Sequence, residues 1–369
     1  MKKKVCCIFN LAPHYRAPIY KLMDKELNCD FYFGNSVNTP IVKMNVEELK
    51  GYKKTLVRKT VSRWNYYWLS GSFSLIFKPY KYYIISGDSK YLSHWLISIA
   101  AIFLNKKVMI WGHGMKGNKL GKAKFLNKTY HRLCHKVLLY GEHSRNIMLK
   151  EGFRKNKLIL IYNSLDHSKQ LKVRTNLKPS KIFIDHFKND SPVLIYIGRV
   201  QKSKRLDLLI ESVKSIHGRG IPCNLVIIGK DVEQINLMDL VKKHNLGDNV
   251  WFYGPCYDEE EIGNLMYNAD LCVSPGPIGL TALHAMTYGT PIITNNNFSK
   301  QMPEHEVVLK NITGDFYKEN NLEDLTAKIV AWINLSKERR AQIRKDAYQV
   351  IDSKYNPNYQ IKVLKELME

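Results

Sequence analysis

The residues best placed to do chemistry are a glycine and two cations that follow an apolar run. Val193–Ile197 ends in Gly198-Arg199, and Lys204 comes five residues later, at the start of the amphipathic stretch Arg205–His217. A glycine at a strand end lets the chain turn tightly. Arg199 and Lys204 can then converge on one anion above the strand's carboxyl edge, the first as a planar fork and the second as a point charge. A second motif reads Ser274-Pro275-Gly276-Pro277-Ile278-Gly279-Leu280-Thr281, with His284 one turn further on. A helix is expected to open near Leu280, so that its first N–H groups and positive dipole end point back at the strand end. Two anion sites on neighbouring connections of one sheet suit a nucleoside diphosphate. Gly254, closing the run Val250–Tyr253, joins this set.

The first half of the chain offers weaker candidates. Gly112-His113-Gly114 leaves the apolar run Val108–Trp111, and the flanking glycines would lift the imidazole out of the strand. Pro13-His14-Tyr15-Arg16 follows the first apolar run, which makes Arg16 a candidate cation at the edge of the cleft. Asp88, in Gly87-Asp88-Ser89, could present its carboxylate at the cleft or simply cap the helix expected near Tyr91.

These motifs need elements to hold them. Short apolar runs alternate with longer segments of helical period, the pattern of strand–helix–strand units and parallel sheets. The first series is Val5–Phe9, Cys29–Phe33, Tyr82–Ser86, Val108–Trp111, Val137–Tyr140 and Leu158–Tyr162. The second is Val193–Ile197, Leu225–Ile228, Val250–Tyr253, Ala269–Ser274 and Pro291–Thr294. A polar, lysine-rich stretch with Pro179 inside it separates them. The expected organisation is a Rossmann-like domain over 1–166, a linker region over 167–190, a second Rossmann-like domain over 191–352 and a closing helix over 353–369 that can return to the first domain. The fold class is α/β, with two doubly wound domains facing across a cleft at the carboxyl ends of the strands.

Composition narrows the partners. The 369 residues are 45% hydrophobic and 24% charged, a globular balance that excludes disorder and a collagen-like chain. Net charge is +24, and it is uneven: residues 1–166 hold 30 Lys+Arg against 9 Asp+Glu, the remainder 27 against 24. Within 51–150 the counts are 19 and 2, with Arg63-Trp64-Asn65-Tyr66-Tyr67-Trp68 and Phe73–Tyr83 interleaving aromatic rings. Such a surface suits an anionic membrane leaflet. The seven cysteines include no C-x-x-C pair and lie in or beside apolar runs, as reduced core thiols of a cytoplasmic protein do. The basic start precedes an apolar run of about five residues, too short for a signal peptide and better read as a first strand. Leu92–Leu104 is too short to cross a bilayer, which needs about 20 residues.

Taken together, several motifs resemble the family-4 retaining glycosyltransferases of the GT-B fold. They are Asn163-Ser164-Leu165-Asp166, Gly198-Arg199 with Lys204, Asp207-Leu208-Leu209-Ile210, Val226-Ile227-Ile228-Gly229, Val250-Trp251-Phe252-Tyr253-Gly254, and Ala285-Met286 with Gly289-Thr290-Pro291. The resemblance covers nearly the whole chain. It implies transfer of a sugar from a nucleoside-diphosphate donor, UDP or GDP, held by the second domain. The acceptor would be a polyprenyl-diphosphate-linked saccharide held mainly by the first, at the inner face of the cell membrane, in bacterial surface-polysaccharide synthesis. Configuration would be retained, with no metal and no cofactor. In this likeness Arg199, Lys204 and His113 are the catalytic candidates. The donor set is Gly198, Gly254, Gly276, Pro277, Ile278, Gly279, Leu280, Thr281 and His284, and Arg16 and Asp88 lie on the acceptor side.

The chain departs from the family at its paired glutamates, separated by seven residues. Alignment on Gly279 and Ala285-Met286 puts Gly276 at the first position and His284 at the second. In the family the first contacts the donor sugar and the second the ribose. His284 can still hydrogen-bond a ribose or merely pack on a helix face, whereas Gly276 leaves sugar recognition to backbone groups at Pro277, Ile278 and Gly279 or favours a sugar with fewer hydroxyls to satisfy. Other functions fit less well. A nucleic-acid-binding protein would use the basic half, but no helix-turn-helix, zinc finger or RNA-binding signature occurs. An epimerase of the same shape has no use for a membrane-facing surface, and a non-catalytic partner subunit is suggested only by Gly276 and His284.

Overall fold

The computed structural model describes residues 4–38, 41–61 and 65–369. They form two compact units, one comprising the chain up to Asp166 together with Asn356–Glu369, the other His167–Tyr355.

The first unit is built on the strands β1 (Val5–Phe9), β2 (Cys29–Gly34), β3 (Tyr52–Leu56), β6 (Tyr82–Ser86), β7 (Lys107–Gly112), β8 (Lys136–Leu139) and β9 (Leu158–Leu160), while β4 (Arg58–Thr60) and β5 (Tyr67–Leu69) make a separate antiparallel pair. Sheet order is β3-β2-β1-β6-β7-β8-β9 with every pairing parallel. Successive side chains on a strand face opposite ways. Ile8, Tyr83, Ile110 and Leu139 therefore enter one buried cluster, and Phe9, Ile84, Trp111 and Leu138 the other. Both faces are covered, which is why these strands read as unbroken apolar runs.

The covering helices are α1 (Ala17–Leu27), α2 (Leu92–Phe103), α3 (Gly121–Leu133) and α4 (Glu142–Lys150). The second unit holds α5 (His167–Asn176), α6 (Ile182–Phe187), α7 (Leu206–Gly218), α8 (Leu237–Lys243), α9 (Glu259–Asn268), α10 (Thr281–Thr287), α11 (Leu322–Ile333) and α12 (Lys337–Lys354), and α13 (Pro357–Glu366) returns to the first. There α13 packs on α1, the Gln360 amide donates to the Tyr162 carbonyl at 2.9 Å, and Tyr82 donates to the Met368 carbonyl at 3.0 Å.

The second sheet is also all parallel, in the order β12-β11-β10-β13-β14-β15. Its strands are β10 (Val193–Ile197), β11 (Asn224–Ile228), β12 (Val250–Gly254), β13 (Leu271–Ser274), β14 (Ile292–Asn295) and β15 (Gly314–Tyr317). Leu194, Tyr196, Leu225, Ile227 and Val273 bury against apolar residues of α7 and α11.

Two expectations change. The stretch 167–190 is not an open linker but carries α5 and α6, which bury His167, Gln170, Val173, Phe183 and Phe187 within the second unit. So few apolar positions among lysines hide a helical period. Of the tyrosines in the aromatic stretches expected to face a membrane, Tyr67, Tyr80, Tyr82 and Tyr83 are buried in the core and Tyr66 is half-buried. Arg63 and Trp64 lie outside the described residues.

Candidate functional site

In the second unit β10 and β13 are neighbours, with β11 and β12 on one side and β14 and β15 on the other. Their outgoing loops part at this switch point, where an open parallel sheet leaves room for a ligand. Both sequence motifs emerge there. Gly198 leaves β10 with φ 147°, and a Cβ would lie 2.9 Å from the Tyr196 hydroxyl and 3.3 Å from that of Thr281. Thr281, the first residue of α10, donates to the Ile197 carbonyl at 2.5 Å, and Tyr196 donates to the Arg199 carbonyl at 3.1 Å. Gly254 ends β12, its carbonyl accepting the Gly229 N–H at 2.8 Å. A Cβ on Gly229 would meet the Gly198 carbonyl oxygen at 1.8 Å, so the ends of β10 and β11 come this close only because Gly229 has no side chain.

Lys204 crosses to the other loop. Its ammonium donates to the Pro277 carbonyl, and its own carbonyl accepts the Gly276 N–H at 2.9 Å. Burial, reinforced by the charge of Arg199 and opposed by buried Glu304, pulls the Lys204 amine down to about 8. Two cations thus share the switch point, and the amine of one is easily discharged. An arriving anion would restore its full charge.

The Pro275–Gly279 loop is pinned from below. The Asn295 amide donates to the Pro275 carbonyl at 2.7 Å, Tyr317 donates to the same oxygen at 2.9 Å, and Thr294 donates to the Ser274 carbonyl at 2.8 Å. The Gln301 side chain accepts the Ile278 N–H at 3.0 Å. This corrects one expectation, because the Ile278 N–H and the Pro277 carbonyl both have partners within the protein. The Gly279 carbonyl likewise accepts the Ala282 N–H at 3.1 Å, with Gly279 at φ 59°. Leu280 is the residue before the first turn of α10.

His284, on α10, has Nδ1 3.7 Å from Oε1 of Glu259. The same oxygen accepts the Tyr288 hydroxyl at 2.6 Å and the Gln170 amide at 2.9 Å. Burial alone would raise the Glu259 carboxyl, but His284, Tyr288 and Gln170 outweigh it and hold the group at about 2. The imidazole therefore has a carboxylate beside it, supplied by α9. Sequence reasoning missed Glu259, Gln301 and Glu304. A signal existed for the last two in Gln301-Met302-Pro303-Glu304, a polar run right after a buried strand.

In the first unit the structure brings Arg16 and His113 together. The Arg16 guanidinium lies over the rings of Trp111 and Tyr140, 5.1 and 5.2 Å from their centroids, and His113 meets Tyr140 edge-on at 5.1 Å. Burial, then the charges of Lys116 and Arg16, push the His113 imidazole down to about 3, so it is neutral at physiological pH. Its loop is glycine-framed for contact rather than flexibility. A Cβ on Gly112 would lie 2.9 Å from Gly87 Cα, and one on Gly114 2.5 Å from the Ser144 hydroxyl. The Asp88 carboxylate accepts the Lys90 N–H at 3.0 Å within the preceding turn, and it does not cap α2, whose N-cap Tyr91 has no side-chain cap.

Residues 178–350 match the family model described as Glycosyl transferases group 1. An uncharacterized glycosyltransferase of Haemophilus influenzae is 24% identical over 247 residues, covering 64% of this chain and 63% of that protein. A glycogen synthase of Mycobacterium tuberculosis is 32% identical over 106 residues, 28% of this chain and 25% of its own. The alignments thus span less than two thirds of these relatives. Among solved structures, a glycosyltransferase from Rickettsia africae superposes with a TM-score of 0.75 at 16% identity, over 100% of this chain and 98% of its own. Anabaena HepE in complex with UDP does so with a TM-score of 0.70 at 14% identity, over 99% of each chain. The second unit therefore carries a glycosyl transferases group 1 match over 178–350, on a chain with the GT-B fold.

Proposed function

We propose that this chain is a metal-independent, retaining glycosyltransferase that uses a nucleoside-diphosphate sugar. The observation that carries the reading is the Arg199–Lys204 pair at the switch point of the second sheet, with Lys204 reaching the loop after β13. The two cations take up the charge that develops on the diphosphate as the bond from the anomeric carbon to its oxygen breaks. The acceptor hydroxyl adds to the same face of the sugar, and its proton leaves with the diphosphate side. Each cation is expected to contribute about 2–4 kcal/mol to that transition state.

UDP is the first donor nucleotide to try, because HepE was crystallised with UDP and with UDP-glucose, and GDP is the second. His284 would hydrogen-bond the ribose. Neutral His113, with Arg16 beside it, would contact the sugar or acceptor from the first unit. The acceptor is a lipid-diphosphate-linked saccharide at the cytoplasmic face of a bacterial membrane, in surface-polysaccharide assembly. A lipopolysaccharide outer core galactosyltransferase, WaaB, is among the structural neighbours, with a TM-score of 0.70 at 15% identity.

A calorimetric panel of UDP, GDP, dTDP, ADP and CMP against the wild type and Arg199→Ala tests the donor site. One nucleoside diphosphate should bind selectively and lose at least tenfold in affinity in the variant. A folded wild type that binds none of them ends the transferase reading. Selective binding without hydrolysis or transfer to any lipid-linked saccharide would instead favour a non-catalytic partner subunit, the reading suggested by the absent Gly276 side chain.

A further inference from the structure

Helix α2 has its faces reversed relative to an ordinary surface helix. Its buried side holds Ser93, His94, Ile97, Ser98 and Ala101, while its solvent side holds Leu92, Leu96, Ile99, Ile102 and Phe103. A helix that covers a core normally turns its apolar stripe inward. Here the inward hydroxyls are satisfied locally, Ser98 donating to the His94 carbonyl at 2.8 Å and Ser93 accepting the Leu69 N–H at 3.3 Å. No charged residue interrupts the outward stripe. Phe103 is 84% exposed and Ile102 59%.

The stripe continues on both sides. Helix α3 packs beside α2 and presents Phe125, 68% exposed, with Leu120 just before it at 82%, and the turn holding Phe77, 67% exposed, packs on the same helix. Contiguous exposure of this extent marks an interaction surface rather than scattered surface residues. Its exposed charged neighbours are mainly lysines, with Asp88 near Lys119 and Glu151 against α3 as the acidic exceptions. Lys90 precedes α2, and Lys119 and Lys122 stand where α3 begins, all three exposed, with Lys119 close enough to Lys90 for their charges to interact. Neither helix contains an acidic residue. Lys124 and Lys128 are already held by Glu151, at 2.7 and 3.1 Å.

We infer that the α2–α3 face is a docking surface for an anionic lipid bilayer. The apolar side chains enter the boundary between headgroups and acyl chains, and Lys90, Lys119 and Lys122 meet lipid phosphates. A soluble acidic partner would match the lysines but not the uncharged stripe of α2. A second copy of this chain would bring the same positive charge against itself. Among the described residues no helix is long and apolar enough to cross a membrane, which fits a helix lying in the interface plane. The inference deepens the lipid-acceptor reading and rests on it for its purpose, yet its test needs no transfer, so the two can fail separately.

The full-length protein is floated with vesicles of equal parts phosphatidylcholine and phosphatidylglycerol, and with phosphatidylcholine alone. The wild type should float with the anionic vesicles. The exposed pair Ile102→Ser with Phe103→Ser should weaken partition about tenfold or more at every salt concentration. Lys119→Gln with Lys122→Gln should weaken it several-fold at low salt only. Both variants should keep the wild-type melting temperature and nucleotide affinity. Undiminished flotation of the Ile102/Phe103 variant overturns the inference, as does a wild type that binds neither vesicle. Wild-type self-association by light scattering that this variant abolishes also overturns it, in favour of a second copy.

Discussion

A Cβ placed on Gly276 would lie 2.1 Å from the carbonyl oxygen of Ser203 and 2.7 Å from the Cα of Lys204. The backbone that presents Lys204 thus passes through the space where the resembling family has a glutamate side chain. The missing carboxylate and the position of Lys204 are one feature, not two.

Restoring the acid by Gly276→Glu is therefore expected to do harm. Any side chain at 276 must push back the Ser203–Lys204 main chain, an overpacking that costs about 1–3 kcal/mol. It would also break the Gly276 N–H bond to the Lys204 carbonyl. Thermal melts should show Gly276→Ala destabilised almost as much as Gly276→Glu, because the first carbon makes the clash. An alanine variant that melts like the wild type would mean the Lys204 loop yields freely.

The second prediction concerns Lys204 and protons. Its amine, lowered to about 8 by burial and by Arg199, is partly neutral at pH 8.5. A bound diphosphate favours the ammonium, so binding there must take up a proton. Calorimetry at pH 8.5 in two buffers of different ionisation enthalpy should show that uptake, and at pH 6.5, where the amine is already charged, it should vanish. Donor affinity should also begin to fall above pH 8, well below the ordinary lysine range. Buffer-independent heats at pH 8.5 would place the diphosphate away from Lys204.

Much of this arrangement was readable in the chain. The strands carrying Gly198, Gly112 and Ser274 are buried on both faces, so they stand out as apolar runs ending in glycine or proline loops. What escaped was edge and distance. Strand β3 contains Lys53 and Lys54 and has an exposed middle, because it closes the sheet and needs no apolar run. Strand β15, at the other sheet's edge, has four residues and starts at a glycine. The partner of the Ile278 N–H is a side chain 23 residues on, and the carboxylate beside His284 comes from a different helix. Neither pairing has any local spacing to betray it, since both follow from which strands lie side by side.

Glu259 and His284 separate a structural role from a ligand-binding one. Glu259→Ala removes the carboxylate that accepts the Tyr288 hydroxyl and the Gln170 amide, which should destabilise the second unit by about 1–3 kcal/mol in urea titrations. His284→Ala leaves both of those bonds in place and should cost less, although it removes a contact that favours the ionised Glu259. If the imidazole reads the ribose, that variant weakens nucleoside-diphosphate binding several-fold while inorganic diphosphate binds as before. Equal losses for both ligands would assign His284 to the diphosphate end of the site.

The last prediction follows from imidazoles kept neutral in the first unit. Burial holds His94 at about 4, against the opposing pull of the Ser86 main chain, and burial likewise holds His131 at about 4. Both are fully buried. Their ordinary value is 6.5, so in the unfolded chain they take up protons between pH 6.5 and 4 while the folded chain does not. Stability must fall as pH drops through that window and level off below it, by about 2 kcal/mol for each histidine at pH 5. Depressed carboxylates such as Glu259 act at lower pH, between 4.5 and about 2, and leave this window to the histidines. His94 stacks on Tyr91 with ring centroids 5.3 Å apart, so His94→Phe keeps the packing and removes the titration. Urea midpoints at pH 7 and pH 5 should therefore differ less in His94→Phe than in the wild type, with about 2 kcal/mol of the acid loss gone. A variant that loses as much stability as the wild type over that interval would mean His94 is protonated in the folded chain, and that its burial admits water.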